Sequence, residues 1–237
     1  MTSEDSLKNA RERLIVALDL PRADEAIALA FDLASEVSFF KIGLQLYTAA
    51  GPEIVRAITG TGAKIFLDLK LHDIPNTVAK AVASAGEIKV AMLTIHLSGG
   101  SRMVEAAVRA VSTDLQLLGV TVLTSSDETT LHETGVNGSV AEQALRLAQL
   151  GADAGIRGLV ASPHEVVALR RALPSRVTIV TPGVRPAWAT ADDQKRFTTP
   201  REALHNGADY LVVGRPVIAH AQPREAARRI INEMAER

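Results

Sequence analysis

Short runs of β-branched and aliphatic residues alternate with longer amphipathic stretches along the chain. The apolar runs are typical of strands in a parallel sheet that is buried on both faces, and the amphipathic stretches are typical of helices covering such a sheet. Eight strands are predicted, at Leu14 to Leu20, Phe39 to Leu44, Ala63 to Leu71, Val90 to Leu97, Leu117 to Thr124, Gly158 to Ser162, Arg176 to Gly183 and Asp209 to Pro216. The clearest predicted helices are Ala23 to Ser35, Arg102 to Val111, Val140 to Leu150, Pro163 to Arg171 and Arg224 to Glu236.

This alternation predicts the α/β class and a single (β/α)8 TIM barrel, because repeated right-handed crossovers bring the last strand beside the first. The barrel is expected to occupy residues 1–237 as one domain, with 1–12 as a polar N-terminal segment. An open doubly wound sheet is the alternative. It is disfavoured because no GxGxxG motif follows the first strand.

The composition narrows the possible partners. Lys and Arg number 26 against 27 Asp and Glu, so the chain has no global field that would attract nucleic acid or an acidic membrane surface. Cysteine is absent and the six histidines show no HExxH spacing, so neither a disulfide nor a metal site is expected. The charge-free stretches are shorter than the ~20 apolar residues that span a bilayer. With no signal-peptide pattern at the N terminus, a cytoplasmic protein is expected.

The third predicted strand carries charges on one face. Side chains two apart in a strand point the same way, so Asp68 and Lys70 share a face while the apolar residues between and before them share the other. If the apolar set faces the helices, Asp68 and Lys70 lie inside the barrel near its C-terminal end, where barrel enzymes keep catalytic groups. Asp73 follows in the turn before a helix opened by Pro75.

Two further charges are expected at the same mouth. Asp19 lies near the end of the first strand and Lys41 in the second. A single inward Asp-x-Lys pair could be a satisfied ion pair that serves stability alone. Four or five charges from adjacent strands are costly to assemble for that purpose, so the set favours a catalytic site in which opposite neighbours keep one another ionised.

The segment FLDLKLHDIPNTV resembles the Asp-x-Lys-x-x-Asp-Ile-x-x-Thr signature of the orotidine 5′-monophosphate decarboxylases. Other matches fall in that family's order, namely Asp19, Lys41, Thr124, the PGVR at Pro182 to Arg185, Gln194 and the VVGRP at Val212 to Pro216. Magnesium-dependent phosphosugar decarboxylases and aldol-type synthases share Asp-x-Lys-x-x-Asp but typically carry a metal-binding Glu on the second strand. Here that strand offers Lys41, a poor metal ligand when charged.

The resemblance implies cofactor-independent decarboxylation of orotidine 5′-monophosphate to uridine 5′-monophosphate in pyrimidine biosynthesis. Lys70 would supply a fixed positive charge and then a proton at C6. Asp68 would hold Lys70 in place, or raise the ground-state energy beside the substrate carboxylate. Lys41 and Asp73 would complete the charge network and bind ribose hydroxyls, with Asp19 as another acceptor.

The same resemblance implies which residues bind the nucleotide. They are Asp19, Lys41, Asp68, Thr77, Thr124, Pro182, Arg185, Gln194, Gly214 and Arg215. Gly214 and Arg215 would hold the phosphate together with Arg185 and Gln194. Thr124 matches a Ser or Thr that meets the pyrimidine amide. As alternatives, Arg215 could cap carbonyls, Arg185 could be a solvated loop charge and Thr124 could be an ordinary strand-end hydroxyl.

In the family that the chain resembles, residues matching Asp73 and Thr77 reach into the neighbouring subunit's site. A homodimer with shared active sites is therefore implied. The long segment Val184 to Thr199 is expected to close over the phosphate. Two other functions stay open: a magnesium-dependent enzyme on the same scaffold, and a nucleotide-binding protein without turnover.

Overall fold

The protein is described by a computed structural model that covers residues 3–111, 114–189 and 198–236. Eight parallel strands close into a barrel in chain order, and β8 pairs with β1. The strands are β1 Leu14–Ala17, β2 Phe39–Gly43, β3 Lys64–Leu71, β4 Met92–His96, β5 Gln116–Val120, β6 Gly158–Val160, β7 Thr178–Pro182 and β8 Tyr210–Val213. The (β/α)8 barrel predicted from the sequence is confirmed, and the open sheet is excluded by the closing β1–β8 pair.

Helices surround this barrel. In the described ranges they are α1 Ser3–Arg13, α2 Ala23–Leu33, α3 Leu44–Ala50, α4 Glu53–Thr59, α5 Pro75–Glu87, α6 Ser101–Arg109, α7 Glu128–Glu133, α8 Val140–Asp153, α9 Val166–Ala172, α10 Pro200–His205, α11 Arg215–Ile218 and α12 Pro223–Ala235, with a 3-10 turn at Leu97–Gly99. From Ser3 onward the polar N-terminal segment lies in α1, which packs against α12 and buries Ala10. None of the helices described is long and apolar enough to cross a bilayer.

The barrel interior is filled by a set of apolar side chains, here called the interior cluster. Its members are Ile15, Ala17, Phe39, Phe66, Met92, Leu118, Val180 and Val212. Each is at most 6% exposed. A larger apolar cluster lies between the strands and the helices and contains the alternate strand residues, such as Ile65 and Leu67. The interior cluster therefore forms a floor across the barrel.

Charged residues lie one step above this floor on three adjacent strands. Two positions beyond a member of the interior cluster, and hence on the same inner face, come Asp19 after β1, Lys41 in β2 and Asp68 in β3. The inward direction predicted for Asp68 is thus explained by strand parity, which directs Lys41 inward as well. The sheet delivers both side chains to the C-terminal end, where barrel enzymes carry their sites.

The fifth strand is shorter than the sequence suggests. It ends at Val120, so Thr124 does not end the strand but lies in the loop beyond it. The neighbouring strands end at His96 and Val160, the partners of Val120 in the ladder, so the pairing of β5 with both neighbours stops there although the apolar run continues. The predicted strand position of Thr124 is therefore wrong.

Glu165 is a buried carboxyl group near the end of β6. It immediately precedes α9, is 7% exposed, and accepts a hydrogen bond of 3.2 Å from the backbone N–H of Ser162. Burial raises the pKa of Glu165 to about 7, although this hydrogen bond acts in the opposite direction. The folded protein thus binds this proton more tightly than the unfolded chain does.

This raised pKa predicts a pH-dependent loss of stability. The stabilisation from protonated Glu165 is complete below the ordinary pKa of 4.5 and is lost as the pH rises through about 7. Glu165→Gln keeps an acceptor oxygen and removes the charge. The melting temperature of the variant minus that of the wild type should therefore be larger at about pH 8 than at about pH 5. Thermal unfolding at both pH values measures this, with the exposed Glu128→Gln as control. A difference between Glu165→Gln and wild type that does not change with pH would contradict the expectation.

Candidate active site

Four charged side chains form a chain of alternating sign at the mouth of the barrel. The ammonium group of Lys70 donates to both carboxylate oxygens of Asp68, each at 2.8 Å. The other lysine, Lys41, lies 3.7 Å from Asp68 Oδ2 and 2.8 Å from Asp19 Oδ1. The Asp68 side chain is 13% exposed and lies between two cations, which offset the desolvation of its charge.

The third strand departs from regular pairing where it carries this site. Leu67 pairs with Leu93 and Leu71 pairs with Ile95, so the residues between them on β3 outnumber those on β4. Lys70 adopts a φ of 51°, in the left-handed region that residues with side chains rarely occupy. Such a conformation costs on the order of 1–3 kcal/mol and persists only where the surroundings fix it. The bulge therefore sets the direction of the Lys70 side chain.

A small cavity of about 140 Å³ lies against the charged chain. Lys41, Asp68 and Lys70 form its charged side. The opposing wall is mainly apolar and includes Val122, Leu123 and Val160, while Thr124 adds a hydroxyl group. A planar ring with one charged edge and one amide edge has complementary groups here.

A second and larger cavity of about 850 Å³ adjoins the first, because the two share Lys41, Thr124, Pro182 and Val212 in their walls. It lies within the size range of small-molecule sites. The predicted residues that line it are Asp19, Lys41, Thr124, Pro182, Arg185, Gly214 and Arg215. The structure thus brings most of the predicted binding residues to one continuous opening, and Gln194 lies outside the described residues.

The long segment after β7 is held at its two described ends. Val184 forms a bridge with Thr198, and the backbone N–H of Arg185 donates to the Thr198 carbonyl oxygen at 3.1 Å. Trp188 stacks under the guanidinium group of Arg229, 4.2 Å from the ring centroid, and meets the ring of His220 edge to face. These contacts anchor the start of the segment beside the larger cavity.

Asp73 and Thr77 do not join the other predicted residues. Both are exposed at the start of α5, and neither is among the described residues that line the two cavities. Asp73 Oδ1 accepts a hydrogen bond from the backbone N–H of Ile74, whose side chain is 66% exposed. Within one chain, therefore, Asp73 does not extend the Asp19 to Lys70 network.

A pair of histidines borders Lys70. The rings of His72 and His96 lie 5.7 Å apart. Burial, and then the neighbouring His72 and Lys70, lower the pKa of His96 below its usual value. A neutral His96 ring adds no positive charge to a mouth that already holds two lysines.

Two residues of this site were missed by sequence reasoning. Gly43 pairs with Asp68 across β2 and β3, and a side chain there would meet the Lys41 ammonium group. Thr94 hydrogen-bonds to both Asp68 and Lys70. Strand parity could have found them, since Gly43 lies two positions beyond Lys41 and Thr94 two positions beyond Met92 of the interior cluster.

No group of three His, Asp or Glu side chains suited to a metal ion occurs in the part of the chain that the structure describes. At the position where magnesium-dependent barrels were expected to carry a Glu, Lys41 is paired with two carboxylates. The donor set at the mouth thus consists of ammonium groups and carboxylates already engaged with them.

Comparison with known proteins gives consistent matches over nearly the whole chain. Residues 12–230 match the model of the Orotidine 5′-phosphate decarboxylase / HUMPS family. The chain is 51% identical to an orotidine 5′-phosphate decarboxylase of Opitutus terrae, over 93% of this chain and 97% of that protein. A second relative of that name, from Geotalea daltonii, is 48% identical over 95% of this chain and 97% of its own length. The crystal structure of orotidine 5′-phosphate decarboxylase from Lactobacillus acidophilus superposes with a TM-score of 0.82 at 34% identity, covering 94% of this chain and 99% of that one.

The space at Gly43 generates a prediction about Lys41. A Cβ at position 43 would lie 2.9 Å from Lys41 Nζ and 3.3 Å from Asp19 Oδ1. Both atoms end flexible side chains, so Gly43→Ala should leave the melting temperature nearly unchanged while displacing the ammonium group. Turnover of orotidine 5′-phosphate, the compound in the relatives' names, should fall by about 10- to 100-fold, since a small displacement of a fixed group lowers the reaction rate strongly. A stable variant with wild-type turnover would show that the position of Lys41 is unimportant.

Proposed function

The chain belongs to the Orotidine 5′-phosphate decarboxylase / HUMPS family, and we propose on that basis that it converts orotidine 5′-phosphate to uridine 5′-phosphate in pyrimidine biosynthesis, with Lys70 acting at C6 of the pyrimidine. It is a carboxy-lyase of the kind named in its curated relatives. The observation that carries the proposal is the alternating chain of Asp19, Lys41, Asp68 and Lys70 at the barrel mouth.

The chemical difficulty is the electron pair left on the ring. When the C6 carboxylate leaves as carbon dioxide, the bonding pair of the broken C–C bond stays on C6. The ammonium group of Lys70 stabilises this charge because it is already in place, so little reorganisation is needed as the charge develops. Lys70 then transfers a proton, forming the C6–H bond and becoming neutral until it takes a proton from water.

Asp68 serves mainly to position Lys70. Both of its oxygens accept hydrogen bonds from Lys70 Nζ, which fixes the distance and direction of the ammonium group. Repulsion between Asp68 and the substrate carboxylate would be a second contribution, but positioning accounts for the observed geometry without it.

Lys41 and Asp19 bind the ribose in this proposal. Asp19 is the most exposed member of the charged chain, with 54% of its side chain accessible, so its second oxygen can accept from a ribose hydroxyl. Lys41 connects this outer end to Asp68. Substrate binding and the reacting lysine are therefore joined through one set of ion pairs.

The phosphate end of the nucleotide lies in the larger cavity. Arg215 can bond two phosphate oxygens in a forked arrangement, and Gly214 has no side chain to block approach to its backbone N–H. Arg185 and Pro182 line the same cavity. Gln194 completes the set by resemblance, and Thr124 meets the pyrimidine amide from the shared wall of both cavities.

We further propose a homodimer in which Asp73 and Thr77 complete the neighbouring subunit's site. Support comes from their exposure at the start of α5 and from the exposed apolar side chain of Ile74 between them. A cytoplasmic location is proposed as well, because a chain without cysteine suits a reducing compartment.

The function is tested by following the loss of orotidylate absorbance with purified protein, with and without a chelator. Turnover that the chelator does not affect is expected. Lys70→Ala should lower kcat by about 10²- to 10⁴-fold or more, because it removes both the fixed charge and the proton donor. Circular dichroism checks that the variant is folded.

Lys64→Ala is the matched control, since Lys64 is exposed at the opposite end of the same strand. Turnover abolished by the chelator would favour a magnesium-dependent enzyme. Tight binding of uridine 5′-phosphate without any turnover would favour a binding protein. Near wild-type activity in Lys70→Ala would remove Lys70 as the proton donor.

Sharing of sites across a dimer is tested by mixing two inactive variants. Lys70→Ala and Asp73→Ala chains that exchange subunits would form heterodimers in which one of the two sites carries neither substitution. Equal mixing should then restore about a quarter of the wild-type activity. Differently tagged chains that purify together establish the exchange. If exchanged chains stay inactive, Asp73 does not act in the partner's site.

A further inference from the structure

We propose that Thr94 is a positioning residue that fixes the Lys70 backbone and the Asp68 carboxylate through a single hydroxyl group. The inference rests on the proposed decarboxylase function and deepens it. Thr94 does not touch the substrate in this proposal, because its relative exposure is 0%. It acts through the two residues that do.

The location of Thr94 follows from the strand pattern. It lies in β4, two positions beyond Met92 of the interior cluster, so its side chain faces the barrel interior. The other inward residues at this level on the neighbouring strands are charged or apolar. A β-branched hydroxyl side chain here is compact, has few rotamers and is buried next to β3.

Thr94 lies opposite the irregular part of β3. Leu93 and Ile95, its neighbours on β4, pair with Leu67 and Leu71. Asp68, Leu69 and Lys70 of β3 therefore lie against the single residue Thr94. The interrupted register leaves the backbone of Lys70 in its left-handed conformation, with a φ of 51°. The hydroxyl oxygen of Thr94 accepts a hydrogen bond of 2.8 Å from the Lys70 backbone N–H at this point.

The same hydroxyl group also donates a hydrogen bond. Thr94 Oγ1 lies 3.0 Å from Asp68 Oδ1 and donates to it. Its donor is thus used on Asp68 and one of its lone pairs on Lys70. Because Lys70 Nζ also donates to Asp68, hydrogen bonds join each of the three residues to the other two in a closed ring. The ring ties the strained backbone of Lys70 to the carboxylate that holds its ammonium group.

This arrangement determines what removal of the hydroxyl would change. Thr94→Val keeps the shape of the side chain but offers neither acceptor nor donor. The Lys70 N–H and Asp68 would each lose a partner in a buried place, and the bulge could relax. The distance from Lys70 Nζ to C6 would then no longer be fixed, whereas the ribose and phosphate contacts would remain. The expected defect lies in kcat, not in substrate binding.

The experiment compares Thr94→Val with Thr94→Ser and with a matched control. Thr94→Val should lower kcat by about 10- to 100-fold, as loss of supporting hydrogen bonds around reactive groups does in other sites. Its KM and its affinity for uridine 5′-phosphate should stay within about threefold of wild type. Thr94→Ser, which keeps the hydroxyl, should recover most of the lost kcat.

Thr181→Val is the control. Thr181 is also 0% exposed in a barrel strand, and its hydroxyl has no hydrogen-bond partner among the residues that the structure describes. Its side chain points away from the interior cluster, since Val180 belongs to that cluster. The kcat of Thr181→Val should therefore stay at the wild-type level. Should Thr94→Val fail to fold, Thr94→Ser and Thr94→Ala provide the comparison, because both lack the methyl group and differ in the hydroxyl.

A folded Thr94→Val with wild-type kcat would overturn the proposal, as would equal losses in Thr94→Val and Thr181→Val or equal kcat in the Ser and Ala variants. A loss expressed only as a raised KM would also overturn it, because it would indicate a substrate contact. Failure of the proposed function looks different: the wild-type chain itself would then not turn over orotidine 5′-phosphate.

Discussion

The carboxylate of Asp68, held between the ammonium groups of Lys70 and Lys41, is the interaction on which the arrangement of the barrel mouth depends. A carboxylate that is largely withdrawn from water loses hydration worth several kcal/mol, and here two neighbouring cations offset part of that loss. Lys41 comes from β2 and Lys70 from β3, so both strands must keep their register. Gly43 pairs with Asp68 across these two strands, and its lack of a side chain leaves room for the Lys41 ammonium group.

Lys70 sits where local backbone preference and site geometry disagree. Its left-handed conformation is unfavourable for a residue with a side chain, yet the bulge needs it to aim the ammonium group into the small cavity. The surrounding hydrogen bonds, including those of buried Thr94, fix the conformation. Departures from regular structure are expected at sites that do chemistry, and Lys70 departs from it while Lys41 reaches the same mouth from a regularly paired strand.

Much of this arrangement could be predicted from the sequence, because strand parity and the alternation of strands and helices are local properties. The inward direction of Asp68 and Lys70 is predicted from period-two patterning alone. The bulge could not be foreseen, because KIFLDLKL has the pattern of one regular strand and the irregularity depends on its pairing with β4. The loop position of Thr124 was missed for a related reason: an apolar run continues past the point where the adjacent strands end. The sequence predicts only a polar segment where helix α1 forms, since the stability of this helix comes from packing on α12.

The interior cluster has a consequence for the traffic of molecules through the barrel. In the part of the chain that the structure describes, this cluster closes the barrel below the site, so the small cavity lies against the cluster and the large one lies farther out. A nucleotide bound as proposed, with its ribose and phosphate in the larger cavity, would block the way out of the small one. In the proposed reaction, carbon dioxide released beside Lys70 would form beneath the larger product, and both products would leave through the opening that the described residues line. The order in which the two products leave would then depend on how fast the nucleotide dissociates, which is determined by the contacts of its phosphate end and not by the atoms that react.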